Sequence, residues 1–372
     1  MLKIQTRLIV GFAALLLLFT CCVDEITLND NVASEFFVVD GILNYSETTD
    51  SNDLVVKLGI SRADLIRPIP VTKGVVEIVV NDKDSYPLSE REAGSYYLFR
   101  KDIFKVGQSY KLRFQANGSQ YESGNEVMPD SVAIQKVYAE INTKGTASNA
   151  HEIFVDVQDV AQKKNYYRWS FIQWEKQPYC LYCYVALPRQ PESCREDMIA
   201  TADSRISRNP YCDGDCYDIL YTSPNNAISD VFFDGKMLIK KSLGTIPYFF
   251  HGGCLVEIRQ SSITSQYNVF LEILKSQAEN TGGLADTPAA LLVGNVKNTS
   301  NPSQKIVGYF SITNTVKRRI WLERKDVTLT SLRPLITLNP PLDAPVPTPP
   351  SWYPVACKPS KIRTNVKPLG WQ

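Results

Sequence analysis

Short runs of β-branched and aromatic residues, separated by turn residues, constrain the fold of this chain more than any other feature. In the first third of the sequence they occupy residues 36–39, 54–58, 75–80, 96–99 and 110–114. In the last run Tyr110, Leu112 and Phe114 alternate with charged residues, so one face is buried and the other is solvated. Turns such as Asn117-Gly118 separate the runs. Strands at this pitch predict an antiparallel β-sandwich over residues 35–127.

A glycine and tyrosine rhythm in this region resembles that of immunoglobulin-like and carboxypeptidase-regulatory-like modules. It consists of Gly94-x-Tyr96 followed by Gly107-x-x-Tyr110. Glycines turn the chain and tyrosines fill the edges of a core, so we assign these residues structural roles.

A larger β-rich region is predicted from residue 128 to residue 332, because Met128-Pro129-Asp130 marks a boundary. One helix is expected near residues 265–280, capped by Thr264 or Ser265 and ended by two glycines. The apolar residues on one face of that helix are Tyr267, Phe270, Leu271, Leu274 and Ala278. The predicted fold class is mainly β, with the N-terminal β-sandwich followed by a larger β-rich α+β domain with one clear helix.

The N-terminus has the pattern of a signal peptide, residues 1–21. Lys3 and Arg7 precede an apolar run over residues 9–19 that is too short to span a bilayer. The sequence that follows, Leu18-Phe19-Thr20-Cys21-Cys22, resembles the lipobox of bacterial lipoproteins. We predict Cys22 as the lipid attachment residue and keep Cys21 as the alternative. Simple secretion with a buried or disulfide-bonded cysteine pair is the other interpretation.

The segment after Cys22 is polar and predicts a tether over residues 22–34. Its first residues, Val23-Asp24-Glu25, resemble the surface-export signal of Bacteroidota lipoproteins. Removal of the signal peptide takes away two of the 40 basic residues and none of the 39 acidic ones, a balance that gives no sign of nucleic-acid binding. We therefore expect a body anchored to the outer membrane by acyl groups and facing the cell exterior.

Cysteines cluster in an excursion over residues 178–216. The disulfide candidates are Cys180, Cys183, Cys194, Cys212, Cys216 and Cys254. An exported location favours disulfides, while the spacings Cys180-x-x-Cys183 and Cys212-x-x-x-Cys216 leave a zinc site as the alternative. With Cys357 the body contains seven cysteines, so at least one is free or paired between chains.

The C-terminal tail, residues 333–372, is dense in proline. Such a segment favours extended polyproline structure with few internal hydrogen bonds. We expect it to wrap across the body, pinned by Trp352, Tyr353 and Trp371; an exposed peptide for a partner is the alternative.

Four motifs together resemble one family. They are residues 279–288, Gly294-Asn295-Val296-Lys297-Asn298, Asn301-Pro302 and Gly308-Tyr309-Phe310. The lipidation signal followed by Val23-Asp24 and the closing Lys367-Pro368-x-x-Trp371 are similar too. They look like the signature of the Bacteroidota lipoproteins known as domain of unknown function 4249. The resemblance implies a lipoprotein of the outer membrane that acts beside TonB-dependent transporters.

Catalytic signatures are missing from the sequence. His151 and His251 are the only histidines, and no nucleophile elbow, zinc-protease motif, phosphate loop or dinucleotide fingerprint is present. Asp213-Gly214-Asp215 with Asp218 offers oxygen ligands for calcium, against a disulfide-flanked turn as the simpler interpretation. We predict no catalytic residue, no cofactor and no metal.

The function expected from these features is a non-catalytic binding or accessory component beside a β-barrel TonB-dependent transporter in nutrient uptake. A cell-surface hydrolase with scattered carboxylates is one alternative, and an adhesin or envelope structural protein is another. Asp130-Ser131-Val132 also resembles the O-glycosylation sites of exported Bacteroidota proteins, which makes Ser131 a candidate acceptor.

Overall fold

The computed structural model describes residues 35–47, 54–62, 65–142, 150–176, 182–183, 207–208, 215–222, 226–247, 252–279, 292–324 and 359–372. The predictions for Cys21, Cys22, Cys180, Cys194, Cys212, Cys357, His251, Trp352 and Tyr353 lie outside these residues.

Strands dominate the described chain. In the N-terminal half they are β1 (Phe36–Tyr45), β2 (Val55–Ser61), β3 (Ile69–Pro70), β4 (Val75–Val80), β5 (Asp84–Pro87), β6 (Ser89–Glu92), β7 (Ser95–Tyr97), β8 (Ser109–Ala116), β9 (Ser119–Ser123), β10 (Glu126–Val127), β11 (Ile134–Asn142), β12 (Ala150–Gln158) and β13 (Tyr166–Lys176). In the C-terminal half they are β14 (Tyr182–Cys183), β15 (Ser207–Arg208), β16 (Tyr217–Thr222), β17 (Ile228–Ser229), β18 (Met237–Pro247), β19 (Cys254–Ser262), β20 (Val296–Asn298), β21 (Ile306–Leu322) and β22 (Arg363–Thr364). The mainly β fold class with one helix is thus confirmed.

One eleven-stranded sheet runs through the molecule in the order β22-β16-β13-β19-β21-β1-β2-β7-β6, with β17 beside β13 and β3 beside β2. Its central strand is β21, which is 17 residues long. β21 pairs in parallel with β1 up to Asn314, and antiparallel with β19 from Asn314 to Leu322. The long sheet therefore joins the N-terminal and C-terminal parts of the chain.

A first core lies between the N-terminal part of this sheet and a six-stranded sheet, β20-β9-β8-β4-β5 with β10 beside β8. Phe37 of β1 stacks on Phe114 of β8 and Tyr121 of β9, with ring centroids 5.6 and 4.7 Å apart. The predicted sandwich over residues 35–127 is not self-contained, however. Strands β20 and β21 complete it, and they bring Val296 and Phe310 into the same core.

A second core lies under a three-stranded sheet, β11-β12-β18. Ile153 of β12 packs there with Trp169 of β13 and Val256 of β19. Alternate residues of a strand share one face, and the even-numbered residues of β21 face the cores. Phe310 belongs to the first core, and Ile320 packs against the second. Two sandwiches thus share one long sheet.

The predicted helix is present as α1 (Ser265–Glu279). Thr264 is its cap, since its Oγ1 accepts a hydrogen bond from the Tyr267 amide at 3.2 Å. Tyr267 stacks on Tyr309 of β21, but Leu274 is 40% exposed and Ala278 is exposed as well. The predicted apolar face is therefore wrong for the second half of the helix, whose apolar side chains are exposed. In the described part of the chain no helix has the length and apolar character needed to cross a membrane.

Candidate functional site

A groove of about 470 Å³ opens between β11 and the end of β21. The residues that line it are Val137, Tyr138, Ala139, Ile141, His151, Ile320, Trp321, Leu322 and Glu323. Most of these side chains are apolar or aromatic. His151, Glu323 and exposed main-chain atoms make the surface of the groove about as polar as apolar, which suits the binding of a peptide.

The groove forms because two strands meet at one end and separate at the other. The Arg318 Nη1 atom donates to the carbonyl oxygens of Ile134 and Gln135, each at 3.1 Å, and so joins the start of β11 to β21. Farther along, β11 follows its partner β12, while β21 continues beside β19. The lining residues lie on this diverging stretch.

His151 is the buried polar group of the groove. It lies on β12 opposite Ile141 of β11 and is 4% exposed, and its Nδ1 atom has no hydrogen-bond partner. Burial lowers the pKa of His151 below 6.5, and the positive charge of Arg324 lowers it further. The imidazole is therefore neutral at pH 7 and presents one donor and one acceptor.

An ion pair lies close to His151 in the interior. The Arg324 guanidinium donates to both oxygens of Glu175, at 2.7 and 3.0 Å, and the two side chains are at most 2% exposed. The Gln173 amide also donates to Glu175. Burial raises the pKa of Glu175, and the neighbouring guanidinium opposes that rise.

Cys254 of β19 belongs to the same network as a free, fully buried thiol that hydrogen-bonds to Glu175. Its prediction as a disulfide cysteine is therefore wrong. Burial raises the pKa of this thiol well above its usual value, and the Glu175 carboxylate adds to the rise. A protonated, inaccessible thiol is not a nucleophile, so Cys254 has a structural role.

Cys216 is disulfide-bonded. Its partner is not Cys254, which is free. A disulfide sulfur carries no thiolate, so the alternative of a zinc site that includes Cys216 is wrong. Cys183 lies in β14, which pairs with β15.

Ser131 and the acidic residues of the calcium alternative do not line the groove. Ser131 is exposed, as an O-glycosylation acceptor must be. Asp218 is buried and accepts from Arg363 Nε at 2.5 Å, while Asp215 accepts from the Tyr217 hydroxyl at 2.8 Å. These bonds give both carboxylates a structural role, and Asp218 lies in strand β16 instead of in a turn.

Trp371, one of the three predicted pins of the tail, packs on the body. Its ring lies 4.7 Å from that of Tyr217 and 4.9 Å from that of Trp321, measured between centroids. The end of the chain therefore lies against β16 and β21, as the wrapping interpretation expects.

Three carboxylates that the sequence analysis missed come together at one end of the second sandwich. Oxygens of Asp159, Asp230 and Asp234 lie within 4.8 Å of one another. They accept from the backbone amides of Gly235 at 2.9 Å, Asn165 at 2.6 Å and Gln162 at 2.9 Å, respectively. The carboxylates have the chemistry to hold a divalent cation. Their hydrogen bonds also tie the loop after β12 to the loop before β18, which is a sufficient structural reason for the cluster.

Two β-sandwiches share one sheet, with the groove at one end and a buried ion pair close to it. The described chain is therefore that of a β-rich protein with one helix. The chain belongs to the family described as Domain of unknown function (DUF4249), whose model matches residues 23–319. No curated protein matches the chain.

Proposed function

We propose that this protein is a lipid-anchored surface protein of the outer membrane that binds a partner or ligand without catalysing a reaction. It is exported, attached at Cys22, and acts as an accessory component beside a TonB-dependent transporter in nutrient uptake.

The arrangement of chemical groups around the groove supports binding more than catalysis. Cys254 and Arg324 are 0% exposed, and Glu175 is only 2% exposed. A substrate in the groove would meet mainly apolar side chains, the neutral imidazole of His151 and the carboxylate of Glu323, which already accepts from the Arg324 amide. General acid–base or nucleophilic catalysis needs groups within hydrogen-bond reach of the substrate, and the buried network lacks that access.

The hydrolase alternative would use carboxylates such as those of Asp159, Asp230 and Asp234. The first two are buried, and each of the three already accepts a backbone amide. Their positions suit a loop clamp better than an acid and base that exchange protons with water. Binding is therefore the function that we favour.

Lipid attachment is tested by metabolic labelling with a fatty-acid probe in the native host. Wild type and Cys21→Ala should be labelled and sediment with membranes, whereas Cys22→Ala should be unlabelled. Cys21→Ala is the matched control because it changes the adjacent cysteine. Equal labelling of Cys22→Ala would contradict this attachment site, and protection of wild type from protease on intact cells would contradict the outward orientation.

A further inference from the structure

We propose that the groove between β11 and β21 accepts an extended peptide segment of another protein, which pairs with these strands as an added strand. This inference goes beyond the proposed function, since it requires neither the lipid anchor nor a transporter. It stands on the geometry of two strand edges and one buried imidazole.

Both strands that flank the groove have an open edge within the described chain. β11 is the outer strand of its sheet and pairs there with β12 alone. β21 loses its partner on one side after Asn314, because β1 ends at Tyr45, whereas β19 continues on the other side to Leu322. Unpaired amide and carbonyl groups of such edges form a template for another strand.

The lining of the groove indicates that it follows these edges. Val137, Tyr138 and Ala139 are consecutive on β11, and residues 320–323 are consecutive at the end of β21. Successive side chains of a strand point to opposite faces, so a groove in a sheet face would be lined by alternate residues. Contact with consecutive residues on both strands places the groove along their edges.

His151 adds a second reason to expect an occupant. Its Nδ1 atom is buried without a partner, which is rare in folded proteins and calls for a specific explanation. A peptide in the groove carries amide and hydroxyl groups, and these can donate a hydrogen bond to the Nδ1 atom of the neutral imidazole. The apolar side chains of the lining favour a segment with apolar side chains at this point, and Glu323 disfavours acidic ones.

The described chain after β21 favours an occupant from another protein. Its end contacts side chains of β21, since the Leu369 carbonyl accepts from Arg319 and Trp371 packs on Trp321. No described residue after Leu322 pairs with the main chain of β21, however. Prolines at residues 340–341, 345, 347, 349–350 and 354 also make the following tail a poor strand partner, because proline has no amide hydrogen to donate.

The test uses a defined probe, the peptide acetyl-Lys-Val-Thr-Val-Thr-Val-Thr-Lys-amide, and the full-length mature protein. Hydrogen exchange followed by mass spectrometry should show that the peptide slows amide exchange in residues 136–142 and 315–323 by about tenfold. A control peptide with N-methylated valines should give no protection, because it has the same apolar side chains but lacks the three valine main-chain donors, which all lie on one edge of the strand.

Two lysine substitutions test whether the peptide binds at the groove or elsewhere on this sheet. Ile141 lines the groove and is 45% exposed, whereas Met237 is 47% exposed on β18, the outer strand at the opposite side of the same sheet. A lysine blocks strand addition at an edge, so Ile141→Lys should weaken peptide affinity by about tenfold or more. Met237→Lys should leave the affinity within about twofold of wild type.

Four results would overturn the proposal. In the protein alone, slow exchange at any concentration of those amides in residues 315–323 that do not bond to β19 would mean that the chain covers its own edge. An exchange rate of these amides that falls as protein concentration rises would mean that a second copy is the occupant. Equal protection by both peptides, or equal effects of the two lysine variants, would exclude strand pairing in the groove. Lipidation plays no part in these measurements, so they fail or succeed independently of the proposed anchor.

Discussion

Asn295 and Phe310 are joined by two hydrogen bonds that reproduce the pairing of neighbouring strand residues. The Asn295 Nδ2 atom donates to the Phe310 carbonyl at 2.8 Å, and the Phe310 amide donates to Asn295 Oδ1 at 2.9 Å. Gly294 and Gly308 allow this approach, because a Cβ on Gly294 would overlap the Gly308 carbonyl oxygen and one on Gly308 would overlap that of Val39. The motifs that carry the family resemblance thus fix the position of β21 between the two sandwiches.

Loss of the Asn295 side chain should therefore destabilise the fold. Asn295→Ala leaves the amide and carbonyl of buried Phe310 unpaired, which we expect to cost about 1–3 kcal/mol of unfolding free energy. Urea unfolding followed by tryptophan fluorescence measures this change. Asn301→Ala is the control, since Asn301 is exposed and accepts only from nearby amides. An equal loss in both variants would contradict the role of Asn295.

Glu126 is a buried carboxylate that joins the first sandwich to α1 and β21. It accepts from Thr264 Oγ1 at 2.6 Å, Ser311 Oγ at 2.9 Å and the Tyr309 hydroxyl at 3.0 Å. Burial raises the pKa of Glu126 above 4.5, and these hydrogen bonds limit the rise. The protonated carboxyl is therefore favoured by folding.

The sign of the resulting pH dependence follows from linkage. An acid whose pKa is higher in the folded state lowers stability as pH rises from its unfolded pKa through its folded pKa. Relative to Glu126→Gln, wild type should lose unfolding free energy as pH rises from about 4.5 towards neutrality. Unfolding midpoints of both proteins across this range test this pH dependence. A stability of wild type relative to Glu126→Gln that stays constant or grows with pH would contradict it.

The Glu175 and Arg324 pair should be costly to break. Glu175→Gln leaves a guanidinium that is 0% exposed beside a neutral amide, and we expect a loss of about 3–5 kcal/mol. Glu92→Gln, which breaks the exposed pair with Lys361, should cost at most about 1 kcal/mol. The combined substitution Glu175→Gln with Arg324→Met should recover part of the loss. Urea unfolding of the four proteins measures these differences, and equal costs for the two single variants would refute the assignment.

Cys254 should be inert in the native protein. Because the thiol is buried and its pKa is raised well above the usual value, N-ethylmaleimide should modify Cys254 only after denaturation. Cys216 should remain unmodified in denaturant until a reductant is added. Peptide mass spectrometry identifies the labelled residue in each condition. Rapid native labelling of Cys254, or labelling of Cys216 without reductant, would contradict these assignments.

Local pattern was enough to predict the strands and the helix, but not how they are assembled. The alternation of Tyr110, Leu112 and Phe114 placed β8 correctly, because period-two burial is a local property. The contact of Thr313 with Asn44 joins residues 269 positions apart, and nothing local encodes it. The exposure of Leu274 depends on which elements pack against α1, which is again a tertiary property.

The candidate site could not be predicted from the sequence either, because its residues come together only in the tertiary structure. The groove residues come from β11, β12 and β21, and its polar neighbours Glu175 and Cys254 come from two further strands. His151 was visible as one of two histidines, but its burial against an arginine was not. The Asp159, Asp230 and Asp234 cluster had no spacing signal, because two loops supply it.

The proposed accessory role is tested most directly by purification of the lipidated protein from outer membranes of its native host in mild detergent. Quantitative mass spectrometry should find a β-barrel transporter in a ratio of about one to one, and Cys22→Ala should lose it although Cys21→Ala retains it. Recovery of the lipidated, surface-exposed protein without any transporter would contradict the account.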